Sequence, residues 1–376
     1  MKDMNKGKNL AIIGASYLQL PLIKKAREMG YVTHVFAWKA NDPGETEADY
    51  FYPISIVEKE KIAEVCRSLQ IDGICTIASD LAAVTVNYVA DQLGLPGNSL
   101  ECTKLSTDKA AMREAFRLNQ DPSCVSRTVL PNENVMDIME PGFSWPLIVK
   151  PSDRSGSRGI YLVRTEEELR QAVDLARCES FNKVVLVEDY IEGDEFSVEY
   201  ISQNGIHHFL TVTRKETTGA PHFIETGHTE PAGLSEKTLH KIRKVVEHAL
   251  DTLKITTGAS HSEIRINGED IHIIEIGGRM GGDCIGSHLV PLSTGYDYCK
   301  MVIECSLGEP VSMVPVSQPV NVGIKFVTDE KSYADFLKLQ KSDPESILEV
   351  PQMNPENLNQ MTDSSNRAGC YIYLIK

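Results

Sequence analysis

Short apolar runs alternating with amphipathic helical stretches open the chain, and this alternation restricts the fold more than any other feature. Leu10 to Ile13 is an apolar strand ending at Gly14, Gln19 to Met29 is a helix closed by Gly30, and Val32 to Ala37 is a second strand. The pattern recurs as a helix from Glu58 to Gln70, a strand from Gly73 to Ile77 and a helix from Asp80 to Leu93. In the first of these helices Ile62, Val65, Cys66 and Leu69 share one apolar face. Mostly apolar strands separated by helices fit a parallel sheet covered on both faces. The spacing therefore predicts a doubly wound domain. After Gly14 the second and third glycines of a Gly-x-Gly-x-x-Gly dinucleotide fingerprint are missing, which ranks NAD binding last. The helix N-terminus there still offers N–H groups to an anionic group.

The chain has 376 residues, enough for two or three domains, with 41% hydrophobic and 24% charged residues, as in ordinary globular proteins. A net charge of −15 argues against nucleic acid or an anionic membrane surface as partner, since both require a basic face. The nine cysteines form no Cys-x-x-Cys pair and read as reduced, mostly buried thiols. No apolar run approaches the ~18 residues that span a bilayer, so the expected location is the cytoplasm.

Thr107 and Asp108 cap a helix carrying Lys109 in its first turn, where a cation opposes the helix dipole and favours an anionic partner. Pro146-Leu-Ile-Val-Lys150 is a buried strand running into a lysine, followed by the Ser/Gly loop Ser152 to Gly159, with Ser155, Gly156 and Ser157 inside it. Such a loop offers backbone N–H groups to phosphate, although flexible hairpin connections share its composition. Thr165 to Glu168 is a capping box opening a helix to Arg177. The strand Val184 to Val187 ends in Glu188-Asp-Tyr-Ile-Glu-Gly-Asp-Glu195. There Tyr190 and Ile191 could clamp a purine ring and Glu195 could bind ribose hydroxyls; an acidic surface turn is the plain alternative. From 211 to 234 apolar periodicity lapses, which reads as a long, lid-like loop.

The densest chemistry lies between Ala259 and Gly282. Two strands flank an Asn-Gly-Glu-Asp turn, and a loop centred on Glu269 places Glu263 directly opposite Glu275. Facing carboxylates about 5 Å apart repel by roughly 3 kcal/mol, so a cation is expected between them. Oxygen-only ligation suits Mg²⁺ held together with substrate phosphates. A strict two-residue turn at Asn267-Gly268 would instead send the glutamates to opposite faces. Gly277-Gly278-Arg279-Met280-Gly281-Gly282 follows at once, allowing close backbone approach to a ligand beside one arginine.

Taken in order, Lys109, Lys150 with its Ser/Gly loop, Glu188 to Glu195, Glu263, Glu275 and Arg279 resemble the ATP-grasp carboxylate–amine ligases. The resemblance covers nearly the whole chain. It implies a mixed α/β and α+β multidomain fold: a Rossmann-like pre-ATP-grasp domain at 1–105, an ATP-grasp domain at 106–310 with a lid near 122–188, and a small α+β cap at 311–376. It implies that Lys109 and Lys150 contact ATP phosphates, that Ser155, Gly156, Ser157 and Gly159 close over them, and that Glu188, Tyr190 and Ile191 hold adenine. Glu195 would bind ribose, Glu263 and Glu275 would ligate Mg²⁺ or Mn²⁺, and Arg279 would stabilise an acyl phosphate. Glu225-Thr-Gly-His228 and the glycine loop look most like the amino-acid ligases that make dipeptides, with His228, Arg279, Gly281 and Gly282 toward the substrate. One departure is Gly277, where many relatives carry asparagine, which leaves the number of metal ions open.

The resemblance implies small-molecule carboxylate and amine substrates and a homodimer as the usual assembly. Alternatives are a purine-pathway ligase of the phosphoribosylglycinamide synthetase type and a non-catalytic ATP-binding regulator.

Overall fold

The structure is a computed structural model, described for residues 7–137, 143–154, 156, 158–220, 223–358 and 367–376. Among them the strands form three sheets, and no helix is long and apolar enough to cross a membrane. The first sheet contains β1 (Asn9–Ile13), β2 (Val32–Ala37), β3 (Tyr50–Pro53) and β4 (Gly73–Cys75), all parallel, in the order β3-β2-β1-β4. Leu10 to Ile13 are all fully buried, as expected for a strand covered on both faces. The helix Asp80–Leu93 begins at the expected residue because the Ser79 side chain accepts a hydrogen bond from the Ala82 N–H.

A second sheet is built from β5 (Ser126–Val129), β6 (Leu147–Pro151), β7 (Tyr161–Val163) and β8 (Val185–Asp189), backed by the helix Glu166–Glu179. Its own core includes Val149, Leu169, Val173 and Val187. The third and largest sheet has eight described strands: β9 (Asp194–Gln203), β10 (Ile206–Thr217), β11 (Glu225–Glu230), β12 (Gly258–Asn267), β13 (Asp270–Gly277), β14 (Val322–Val327), β15 (Ile347–Met353) and β16 (Gly369–Leu374). Their order is β13-β12-β9-β10-β11-β14-β16-β15, so the C-terminal strands extend the sheet across the β11–β14 edge. One apolar core runs from Ile12 and Ile74 through the helix Tyr298–Ser306 to Ile201 and Ile324, fixing the first sheet against the third.

Two expectations change. The stretch 211 to 234 is largely strand, with β10 reaching Thr217 and β11 starting at Glu225. Its apolar periodicity fails because many buried side chains there are polar: the Thr213 hydroxyl donates to Glu230 at 2.6 Å, and the Lys215 ammonium meets three glutamates. The loop expectation therefore holds only for the turn between these strands, of which residues 221 and 222 lie outside the described residues. The glutamate hairpin, too, reaches its expected pairing by a different route. Its turn is Gly268-Glu269, with Asn267 opposite Asp270 and Ile264 opposite Ile273. Continued unbroken, that register would place Glu275 and Glu263 on opposite faces. A bulge at Ile274 supplies one extra residue and brings Glu263 opposite Glu275. Arg113 Nη2 donates to the Ile274 carbonyl at 2.5 Å, holding the bulge in place.

Candidate active site

A cavity of about 440 Å³ opens where the three sheets meet. Its walls carry cations and carboxylates in pairs, each partner from a different element. Lys109, first residue of the helix Lys109–Asn119, donates to Glu275 at 2.8 Å and to the Arg154 carbonyl at 2.7 Å. The helix is anchored by Asp108, whose carboxylate accepts from the N–H groups of Ala110 and Ala111. Lys150, near the end of β6, meets Glu188 of the adjacent strand β8 at 2.7 Å. Arg113 binds the same carboxylate through Nε at 2.7 Å. Burial alone would raise the Glu188 carboxyl, but the Arg113 and Lys150 charges hold it down at about 2.

Lys215 sits between Glu263 at 2.6 Å, Glu195 at 3.1 Å and Glu225 at 3.5 Å. Against the cost of burial, these carboxylates keep its ammonium well above the usual lysine range. Burial likewise disfavours the Glu263 carboxylate, yet Lys215 and His261 drive its pKa well below the ordinary value. His261 is pressed against Glu199, whose other oxygen accepts from the Gly281 N–H at 3.1 Å. Despite burial, Glu199 raises the His261 imidazole to about 9. Arg265 donates to Glu195 at 3.0 Å and to the Ile191 carbonyl at 2.7 Å, and lies over the Tyr190 ring. Arg279 binds Asp80 through Nε at 2.8 Å and Nη2 at 3.0 Å.

Lys109, Lys150, Gly156, Glu188, Tyr190, Ile191, Glu195, His228, Glu263, Glu275, Arg279 and Gly282 all line this one cavity. Ser155 and Ser157 lie outside the described residues. Gly159 turns against Pro151 and Glu179, and Gly281 packs on Glu199 and His261, both behind the wall. Asp80, Arg113, Lys215, Arg265, Asp283 and Arg367 line or brace the cavity without having been singled out. Arg113 carried a local signal, standing one helical turn after Lys109 on the same face. Asp80 carried none, since only the tertiary fold brings the first sheet's helix to Arg279.

A hard dication fits this donor set. Glu263 and Glu275 face each other in register, with side chains 28% and 24% exposed toward the cavity. Among the described residues no group of three His, Cys, Asp or Glu side chains is arranged for a metal. Two carboxylates completed by water and phosphate oxygens suit Mg²⁺ better than a closed all-protein cage.

Residues 143–287 match the family model of the ATP-grasp domain. This match makes residues 143–287 an ATP-grasp domain, and the chain shares its fold with several solved ligases. An L-amino acid ligase from Bacillus licheniformis superposes with a TM-score of 0.79 at 24% identity, over 98% of this chain and 93% of that one. A phosphoribosylglycinamide synthetase from Anaerococcus prevotii gives 0.76 at 22% identity, over 98% and 94%. In sequence, the alanine–anticapsin ligase of Bacillus subtilis is 23% identical over 276 residues, covering 65% of this chain and 58% of the relative. The carbamoyl phosphate synthase large chain of Thermotoga petrophila is 27% identical over 291 residues, covering 73% and 26%. The chain thus spans little more than half of one curated relative and about a quarter of the other.

Proposed function

We propose that the protein is an ATP-dependent carboxylate–amine ligase. The observation that carries this is the set of mutually satisfied ion pairs in one cavity: Lys109 with Glu275, Lys150 with Glu188, Lys215 with Glu263 and Arg279 with Asp80. Magnesium-bound ATP presents both partners such a set can exchange into, since its phosphates suit the lysines and its metal suits the carboxylates.

In this reading Lys109 and Lys150 hold phosphate oxygens, Tyr190 and Ile191 border the adenine, and Glu195 takes the ribose. Glu263 and Glu275 hold Mg²⁺, which neutralises phosphate charge when bound. A substrate carboxylate attacks the terminal phosphorus, releasing ADP and leaving an acyl phosphate. The amine then displaces phosphate and loses a proton, giving the amide. Arg279 supplies charge to the acyl phosphate and the tetrahedral species that follows it. Positioning and charge neutralisation suffice for phosphoryl transfer, so no nucleophilic side chain is required.

The test is phosphate release from Mg²⁺-ATP by purified protein, screened against amino acids singly and in pairs. Release that needs both a carboxylate and an amine donor, and is lost in Glu275→Gln, is the expected result. Silence throughout, with ATP still bound by calorimetry, would point to a non-catalytic nucleotide-binding role.

A further inference from the structure

Lys215 projects from β10 into the cavity wall, and carboxylates from three other strands converge on its ammonium: Glu195 of β9, Glu225 of β11 and Glu263 of β12. The lysine side chain is 3% exposed, whereas the glutamates keep 17%, 14% and 28% of their surface. A buried ion cluster is a poor way to stabilise a sheet, since well-packed apolar side chains in its place are often as good or better. Four strands nevertheless bring one charged residue each to this point, which indicates a use other than stability. An ammonium ringed by carboxylate oxygens from several elements occupies the kind of place that a hard dication takes.

The neighbouring charges leave room for one dication beside it and not for two. Lys215 holds Glu263 by Oε1, and His261 Nε2 stands 3.6 Å from that same oxygen, its other ring nitrogen on Glu199. Arg265 takes the second oxygen of Glu195 at 3.0 Å, and Lys109 pairs with Glu275 at 2.8 Å. An ion entering between Glu263 and Glu275 is met by two carboxylates, and the lysines it disturbs have phosphate oxygens to turn to. A further ion against Glu195, Glu225 or the far side of Glu263 would meet the Lys215 ammonium at contact distance, a repulsion with no spare carboxylate to offset it. Nor does Gly277, two residues past Glu275, offer a ligand: a Cβ there would already press on Asp80 and Arg279.

We propose that Lys215 is the second cation of this site: the protein binds one divalent ion with its nucleotide, between Glu263 and Glu275, and the Lys215 ammonium fills the place among Glu195, Glu225 and Glu263 that a second ion would take. The single ion rests on reading Glu263 and Glu275 as metal ligands; the place of Lys215 can be measured apart from that reading and from turnover.

The experiment counts Mn²⁺ bound per ADP, by loss of the free Mn²⁺ electron paramagnetic resonance signal, with the whole protein in excess over ADP. Wild type and Lys215→Arg take up one ion per ADP. Lys215→Met, which removes the charge and leaves the three carboxylates in place, takes up two. Without nucleotide, Mn²⁺ raises the melting point of Lys215→Met by about 4 °C or more beyond its effect on wild type, because an ion replaces the lost ammonium. That second measurement serves where Lys215→Met is unstable without metal. Two ions per ADP in the wild type overturn the proposal, as does a Lys215→Met protein that takes up only one and gains no stability from Mn²⁺. If Glu275→Gln leaves Mn²⁺ uptake and affinity unchanged, the metal reading of the glutamate pair fails, while a second ion in Lys215→Met still upholds the place of Lys215.

Discussion

Asp80 and Arg279 stand 199 residues apart in sequence and are joined by two hydrogen bonds, at 2.8 and 3.0 Å. Burial opposes the Asp80 carboxylate, but Arg279 holds its pKa below the ordinary value. The pair lets the N-terminal unit aim the arginine. Asp80→Asn keeps the shape and removes the charge, so kcat should fall about tenfold or more with little change in Tm. Asp80→Ala strands a mostly buried guanidinium and should cost about 3 kcal/mol in urea unfolding. Unchanged turnover in Asp80→Asn would show that Arg279 is positioned by something else.

Gly277 is what leaves room for that pair. A Cβ there would sit 3.0 Å from Asp80 Oδ1 and 3.2 Å from Arg279 Nε. Gly277→Ala should therefore lose about 1–3 kcal/mol and reduce kcat as Asp80→Asn does. Combined, the two changes should be less than additive, because both act on one contact. A fully additive double mutant would separate the glycine from the pair.

For the metal, Glu263→Gln is the informative change. Lys215 keeps Glu195 and Glu225 as partners, so the fold should survive. The Mg²⁺ concentration for half-maximal ADP formation should rise about tenfold or more, since one of two carboxylate ligands is lost. An unaltered Mg²⁺ requirement would remove Glu263 from the metal site.

Glu188 sets an acid limit to stability. Its folded pKa of about 2 lies below the unfolded value, so its contribution is complete above the unfolded pKa and is lost as pH falls toward 2. Glu188→Gln should flatten that acid limb. It should also destabilise the protein by about 3–5 kcal/mol at neutral pH, because Arg113 and Lys150 lose their shared counter-charge. Urea midpoints at several pH values below 5 would show both effects.

Glu230 acts in the opposite sense. Burial raises it to about 8, above its unfolded value, so its contribution is complete below the unfolded pKa and is lost as pH rises through about 8. The slope it imposes is at most about 1.4 kcal/mol per pH unit. Glu230→Gln keeps a neutral acceptor for Thr213 and Ser293 and should remove this slope in urea titrations between pH 5 and 8.

Strands β1, β2 and β4 of the parallel first sheet could be read from sequence because they are mostly apolar and alternate with amphipathic helices, whereas the short β3 (Tyr50–Pro53) went unread; the Ser79, Asp108 and Thr165 caps mark helix starts locally. Lys109, Lys150, Glu263, Glu275 and Arg279 stood out as charges at element ends or in facing register. Lys215 did not, because the side chains that make its burial favourable come from three other places in the chain. Strands bordering a polar cavity replace the apolar alternation with charge pairing, so β10 and β11 read as loop. The Ile274 bulge was hidden as well, since its register is set by the third strand and by Arg113 rather than by the turn.

That bulge isolates the carboxylates from the hairpin tip. β12 is locked to β9 from Gly258 opposite Ser202 to Ile266 opposite Asp194, so Glu263 keeps its place whatever the turn does. Glu269 at the tip is exposed and paired with Lys237 and Lys241 on a neighbouring helix. The tip can thus serve as a handle: a fluorophore or surface tether attached there would report on the hairpin while leaving the chemistry at its base undisturbed.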